Sequence, residues 1–344
     1  MKARLAFLLA GLAIVTGEIF ASILIDYAPL EIRFPEAASV ISSVQQLDGA
    51  KKILFFGSSR LRTDIGAPTV AQALRDGHID DSISVFNASV TAGDAVAFKF
   101  LTDKLLAAGV RPTIAVIEVL PETVSRRNAW LRFHLVRQFY WPDVWKSISD
   151  AWQSSELAHL LSSRIVPLYL FRSEFQQWAQ QRLHLNLKMG NFRNKRARTT
   201  TEQADTSSLD LPKARTLTAQ KRTRNFHISG LAAESLEDLI ARFREVGTSV
   251  VLLAIPVPTQ YRNEYLPPIE AAFMSYMRRL REKYAVEFFD FRHRVPDHLF
   301  QARYYITADG QTYFSQLVTR EVLVPLLTRN QNGATNGKRA RYSN

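Results

Sequence analysis

Gly57-Ser58-Ser59-Arg60 follows the apolar run Ile53-Leu54-Phe55-Phe56 without a break. A short buried strand that ends in a tight glycine turn and passes into a helix leaves a serine hydroxyl open at the carboxyl end of a parallel sheet. Open α/β sheets bind their ligands at that edge. A nucleophile there would carry out acyl transfer or ester hydrolysis, given a base to take its proton and donors to meet the oxyanion. The bland alternative makes Ser59 a helix cap whose hydroxyl accepts from free backbone N–H groups. Arg60 and Arg62 would then decorate the mouth and suit an anionic sugar or phosphate.

A serine needs a base. The chain has seven histidines: His78, His134, His159, His184, His227, His293 and His298. His293 and His298, with Asp290 and Asp297 beside them, are the best candidates for one; a plain surface position is the commoner fate of such loop histidines. No histidine pair with a nearby acid has metal-site spacing, so no metal is inferred, and no cofactor.

The elements that must position these residues alternate. Strands are expected at Ile53–Phe56, Ser84–Asn87, Thr113–Leu120, Ser249–Ile255 and Val286–Phe291. Helices are expected at Ala67–Leu74, Ala95–Ala108, Leu231–Val246, Pro268–Tyr284 and Gln316–Leu327, from apolar residues at helical spacing. Such alternation predicts an α/β fold, a doubly wound parallel sheet flanked by helices. A helical insertion over 126–190 interrupts it and holds Trp130, Trp141, Trp145, Trp152 and Trp178. That insertion could be an interfacial belt, a lid, a docking face for a membrane partner, or a subdomain packing its own aromatics.

The 344 residues, 47% hydrophobic and 11% aromatic, describe a globular chain and exclude a disordered one. Without cysteine, disulfides and thiolate metal sites are excluded too. Lys2 and Arg4 precede Leu5–Ile25, an apolar run of 21 residues broken only by Thr16, Glu18 and Ser22. Its length spans a bilayer core, and Asp26, Glu31 and Glu36 after it favour a cytoplasmic N-terminus with the bulk of the chain outside. A cleaved signal peptide is the alternative, although such apolar regions are usually shorter. The net charge of +12 concentrates in Arg193–Arg224 and in Lys338-Arg339-Ala340-Arg341. Both stretches lack apolar periodicity and read as mobile. Anionic headgroups or acidic polysaccharide suit an exported domain better than nucleic acid does. The expected organisation is an anchor over 1–28 and a sheet domain over 45–328, which contains the insertion and a basic loop at 191–225. A disordered basic tail over 329–344 completes it.

Two blocks carry a resemblance. Gly57-Ser58-Ser59, followed by Asn87-Ala88-Ser89-Val90-Thr91-Ala92-Gly93-Asp94, resembles the SGNH (GDSL-like) hydrolases over roughly 50–125 and 230–328. The resemblance implies Ser59 as nucleophile, with Ser58 replacing the usual acid as in membrane-anchored, polysaccharide-modifying branches. Ser89, Asn87 and Gly93 (or Ala92) would shape the oxyanion site, beside Arg60. The third block puts Glu122 where the family has an oxyanion asparagine, and a carboxylate there would repel the developing charge. The fourth, anchored on Gly310, Phe314 and Ser315, puts Tyr305 at the histidine and Ala302 at the acid. A second register puts Asp309 at the acid and Thr312 at the base. Neither supplies an imidazole.

Two functions follow. One is a catalytically degenerate scaffold or glycan-binding subunit of envelope or exopolysaccharide biosynthesis, anchored in a bacterial inner membrane with its main domain periplasmic. The other is an active acyl-esterase or O-acetyltransferase on an exported polysaccharide, with Ser59 as nucleophile and His293 or His298 as base. The resemblance implies a membrane-bound acyltransferase or an export complex as partner.

Overall fold

A computed structural model describes residues 2–79, 82–126, 140–153, 157–167, 226–301 and 304–329, together with Phe171, Gln180, Ala219 and Thr223. Nearly all of the basic loop, the tail from residue 330, Trp130, Trp178 and Ala302 lie outside the described residues.

Among the described residues, five parallel strands form one sheet: β1 Lys51–Phe56, β2 Ile83–Asn87, β3 Ile114–Glu118, β4 Ser249–Ala254 and β5 Glu287–Asp290. Their order is β2-β1-β3-β4-β5. The chain enters at β1, steps out to β2, then crosses back to β3. That reversal opens a crevice at the carboxyl ends of β1 and β3. Ser59 follows β1, and Glu118 ends β3.

These segments are strands because both of their faces are covered, which writes a nearly unbroken apolar run. Alternate side chains then divide between two cores. Leu54, Phe56, Ala115, Ile117 and Leu252 pack with the helices Ala95–Ala107, Gly230–Glu245 and Pro267–Tyr284. Ile53, Phe55, Val116, Val251 and Leu253 pack with Ser59–Asp64, Ala67–Asp76 and Ala308–Val318.

Two expectations need correction. The sheet domain begins before residue 45: the helix Pro35–Gln45 and the residue ahead of it bury Phe34, Ala37, Val40 and Val44 in the first core. The closing helix starts at Ala308, not Gln316, capped by Thr307, whose hydroxyl accepts from Gly310 N at 3.1 Å. Gly310, Gln311 and Thr312 hide its first turns, since glycine is about 1 kcal/mol less favourable than alanine in a helix. Just before it, a two-residue hairpin, β6 Phe300–Gln301 against β7 Tyr305–Ile306, is too short to leave an apolar pattern.

The N-terminal helix Lys2–Leu24 runs into a short 3₁₀ turn, Ile25–Tyr27. Arg4–Tyr27 is long and apolar enough to cross a membrane, with a mean hydropathy of 2.2. Its far end meets two insertion helices, Trp141–Gln153 and Leu157–Ile165. Asp26 accepts from Trp141 N at 2.8 Å and pairs with Arg164 Nη1 at 2.6 Å.

Candidate active site

Ser58 and Ser59 divide the work expected of one residue. Ser58 caps the helix, accepting from Arg60 N at 3.2 Å, so the capping role imagined for Ser59 falls one residue earlier. Glu118 holds Ser58 in place. It accepts from Ser58 N at 2.6 Å and from Ser58 Oγ at 2.9 Å. Ser59, at the first helical position, is thereby left half-buried, its Oγ 3.3 Å from the phenol oxygen of Tyr305.

Beneath them lies a buried charge cluster. Arg60 Nη1 donates to Glu122 Oε1 at 3.0 Å, and Arg60 Nη2 stands 3.6 Å from Glu118 Oε1. Tyr261 and Tyr265 donate to the two Glu122 oxygens at 2.7 and 2.6 Å. Burial alone would lower the Arg60 guanidinium, but Glu122, Tyr261 and Glu118 outweigh it and hold it well above its usual value. Burial raises the Glu118 carboxyl, with Arg60 and the two bonds from Ser58 opposing. Burial, and then the Glu122 charge, push the Tyr265 phenol well up. The repulsion expected from Glu122 is therefore met inside the protein, by one cation and two hydroxyls. Close by, Asp64 is fully buried. Desolvation, reinforced by Glu118, lifts its carboxyl well above the ordinary range.

The second block lies alongside the first, with Ala88 N donating to Phe55 O at 2.7 Å and Val90 N to Gly57 O at 2.9 Å. Its donors are engaged within the protein. Asn87 Nδ2 reaches Leu61 O and Ile65 O at 3.1 and 3.0 Å, and Asn87 Oδ1 accepts from Ser89 N and Ser89 Oγ at 3.2 and 2.5 Å. Gly93 N donates to Val90 O at 3.0 Å, in a turn that takes Ala92 to a φ of 55°. Gly93 is glycine for close approach, because a Cβ there would stand 2.5 Å from Gly57 O. Asn87 and Ser89 thus brace the end of the helix Ser59–Asp64, and Gly93 packs against the Gly57 turn that precedes it.

The rim is tied to the N-terminal segment. Arg62 donates to Glu36 and, at 2.6 Å, to Ser89 O. Glu36 also accepts from Thr91 N at 3.0 Å and Thr91 Oγ1 at 3.1 Å. Tyr305, which the first fourth-block register puts at the histidine, stands beside Ser59. Asp309 and Thr312 of the second are exposed on the closing helix, and the Thr312 hydroxyl bonds Ala308 O at 3.2 Å. His293 and His298 are both exposed, on the loop between β5 and β6. Tyr304 completes the mouth. Its ring lies 4.9 Å from that of Tyr305 and 5.6 Å from the Arg60 guanidinium carbon. Glu118, Asp64, Tyr261 and Tyr265 were not singled out from sequence; Glu118, closing an apolar strand, carried the one available signal.

No family model matches the chain, and no curated protein does. Solved structures similar to it include TesA, 13% identical, covering 79% of this chain and 98% of that one at a TM-score of 0.40. The acetyl xylan esterase AlAXEase is 11% identical, with 79% and 100% covered and a TM-score of 0.37. A lipase/acylhydrolase from Enterococcus faecalis is 14% identical, with 79% and 95% covered and a TM-score of 0.38. Likenesses this distant carry no argument about chemistry. The residues around Ser59 do.

Proposed function

We propose that this chain is a membrane-anchored, glycan-binding subunit built on an SGNH-type scaffold, its serine pocket kept for binding and its hydrolytic chemistry lost. The observation that carries the reading is the Tyr305 phenol standing 3.3 Å from the Ser59 hydroxyl, where an imidazole would be required. A phenol carries no basic nitrogen, so Tyr305 lacks the imidazole lone pair with which a histidine takes the serine proton. Its hydroxyl and the half-exposed Tyr304 and Tyr305 rings instead offer what a sugar needs: flat apolar faces beside polar tips. The helix Arg4–Tyr27 anchors the domain, with Lys2 and Arg4 cytoplasmic and the sheet outside, where envelope polysaccharide is assembled. An export complex or a membrane-bound acyltransferase is the fitting partner.

The test is a fluorophosphonate probe on the detergent-solubilised full chain and on Ser59→Ala. No Ser59-dependent labelling is expected, and Ser59→Trp, which fills the pocket, should abolish an envelope phenotype that Ser59→Ala leaves intact. Wild-type labelling that vanishes in Ser59→Ala would overturn the proposal in favour of an active acyl-esterase, with His293 or His298 then to be tested as base.

A further inference from the structure

We infer that the insertion helix Trp141–Gln153 lies in the membrane interface with Trp145 and Trp152 seated among lipid headgroups, so that the sheet domain is held to the bilayer at two places. The inference rests on reading Arg4–Tyr27 as a spanning helix.

Height is fixed first. Trp141 N donates to Asp26 Oδ2 at 2.8 Å, and its indole Nε1 reaches Ser22 O at 3.2 Å. Ser22 lies about one helical turn, roughly 6 Å, before Asp26, so this indole runs alongside the last turn of the apolar segment. Arg164, its side chain only 2% exposed, locks the second insertion helix to the same carboxylate.

The helix itself has two faces. Val144, Ser147 and Ala151 are buried, and Val144 and Ala151 pack with Leu160 and Val96. Trp145 and Trp152, seven residues apart and so on one face, are 69% and 71% exposed. The patch is continuous with the anchor, for the Trp145 ring lies 6.4 Å from that of Trp141. Ile165, next to Arg164, and Tyr27, next to Asp26, are also exposed, at 64% and 81%. Indole and phenol rings, apolar bodies with a polar tip, favour the headgroup level over either water or hydrocarbon.

The experiment places the full chain in vesicles of zwitterionic and anionic phospholipid brominated near the top of the acyl chains. Tryptophan emission is compared between wild type and Trp145→Ser/Trp152→Ser. Most of the bromine quenching should disappear in the double variant, and aqueous iodide should quench the wild type far less in vesicles than in detergent. Trp145→Phe/Trp152→Phe keeps the apolar rings and should lose the same quenching, which separates lost reporters from lost folding. Bromine quenching indifferent to the two tryptophans, or iodide quenching undiminished in vesicles, would overturn the inference and leave the face to another protein. Alkaline extraction separates the failures: wild type that leaves the membrane overturns the anchor and this inference together, whereas retained protein with unchanged quenching overturns this inference alone.

Discussion

Arg60 is a buried cation shared by two acids. Glu122→Ala takes away the nearer one, leaving Glu118 at 3.6 Å, and removes the carboxylate to which Tyr261 and Tyr265 donate. The expected cost is about 3–5 kcal/mol, read as a lower urea midpoint. Asp64 predicts the opposite direction. Its raised carboxyl keeps a proton in the folded state that the unfolded chain gives up once the pH passes the ordinary aspartate range. Folding stability therefore falls as pH rises above that range. Asp64→Asn, neutral throughout, should melt higher than wild type at pH 7, with the gap closing toward pH 4; a gap independent of pH would refute this. Ser59, Arg60, Glu122 and Tyr305 were legible because they sit in or beside motif blocks. Asp64 and the Tyr261–Tyr265 pair were not, since nothing local announces a partner; Glu118 finds Ser58 sixty positions away.

The strands illustrate what a chain writes plainly. Ile53–Phe56, Ile114–Glu118 and Ser249–Ala254 are covered on both faces, and their apolar runs place them within a residue or two of their observed ends. The helix Pro35–Gln45, absent from the expected elements, carries a legible pattern too: Ala37, Val40, Ile41 and Val44 keep the i, i+3, i+4, i+7 spacing of an amphipathic helix, with Pro35 in its first turn. Block two shows motif residues with bracing and packing contacts of their own. Gly93→Ala should force the Gly57 turn away from β2's exit loop, costing about 1–3 kcal/mol as an overpacked contact. Thermal unfolding measures it, and a melt unchanged from wild type would mean the two turns are not in contact.

At the scale of the whole molecule, the Asp26–Arg164 pair joins the end of the N-terminal apolar helix to the insertion. Asp26→Ala leaves a buried guanidinium without that carboxylate and frees Trp141 N. Limited trypsin treatment should then cut within 140–167 faster than in wild type, while the sheet domain stays resistant; unchanged cleavage would show that the join is not what orders the insertion. Glu36 carries a practical consequence. It belongs to the segment between the N-terminal helix and the sheet, yet it holds Arg62 and Thr91 at the rim of the site. Trimming the chain to begin at β1, the customary route to a soluble sample, would strip the rim of its brace and bare the core that Phe34 and Val44 cover. Ligand affinities measured on such a fragment would describe a loosened pocket. A sample starting near Ser22 keeps both Glu36 and Asp26, and is the shortest one whose measurements speak for the whole.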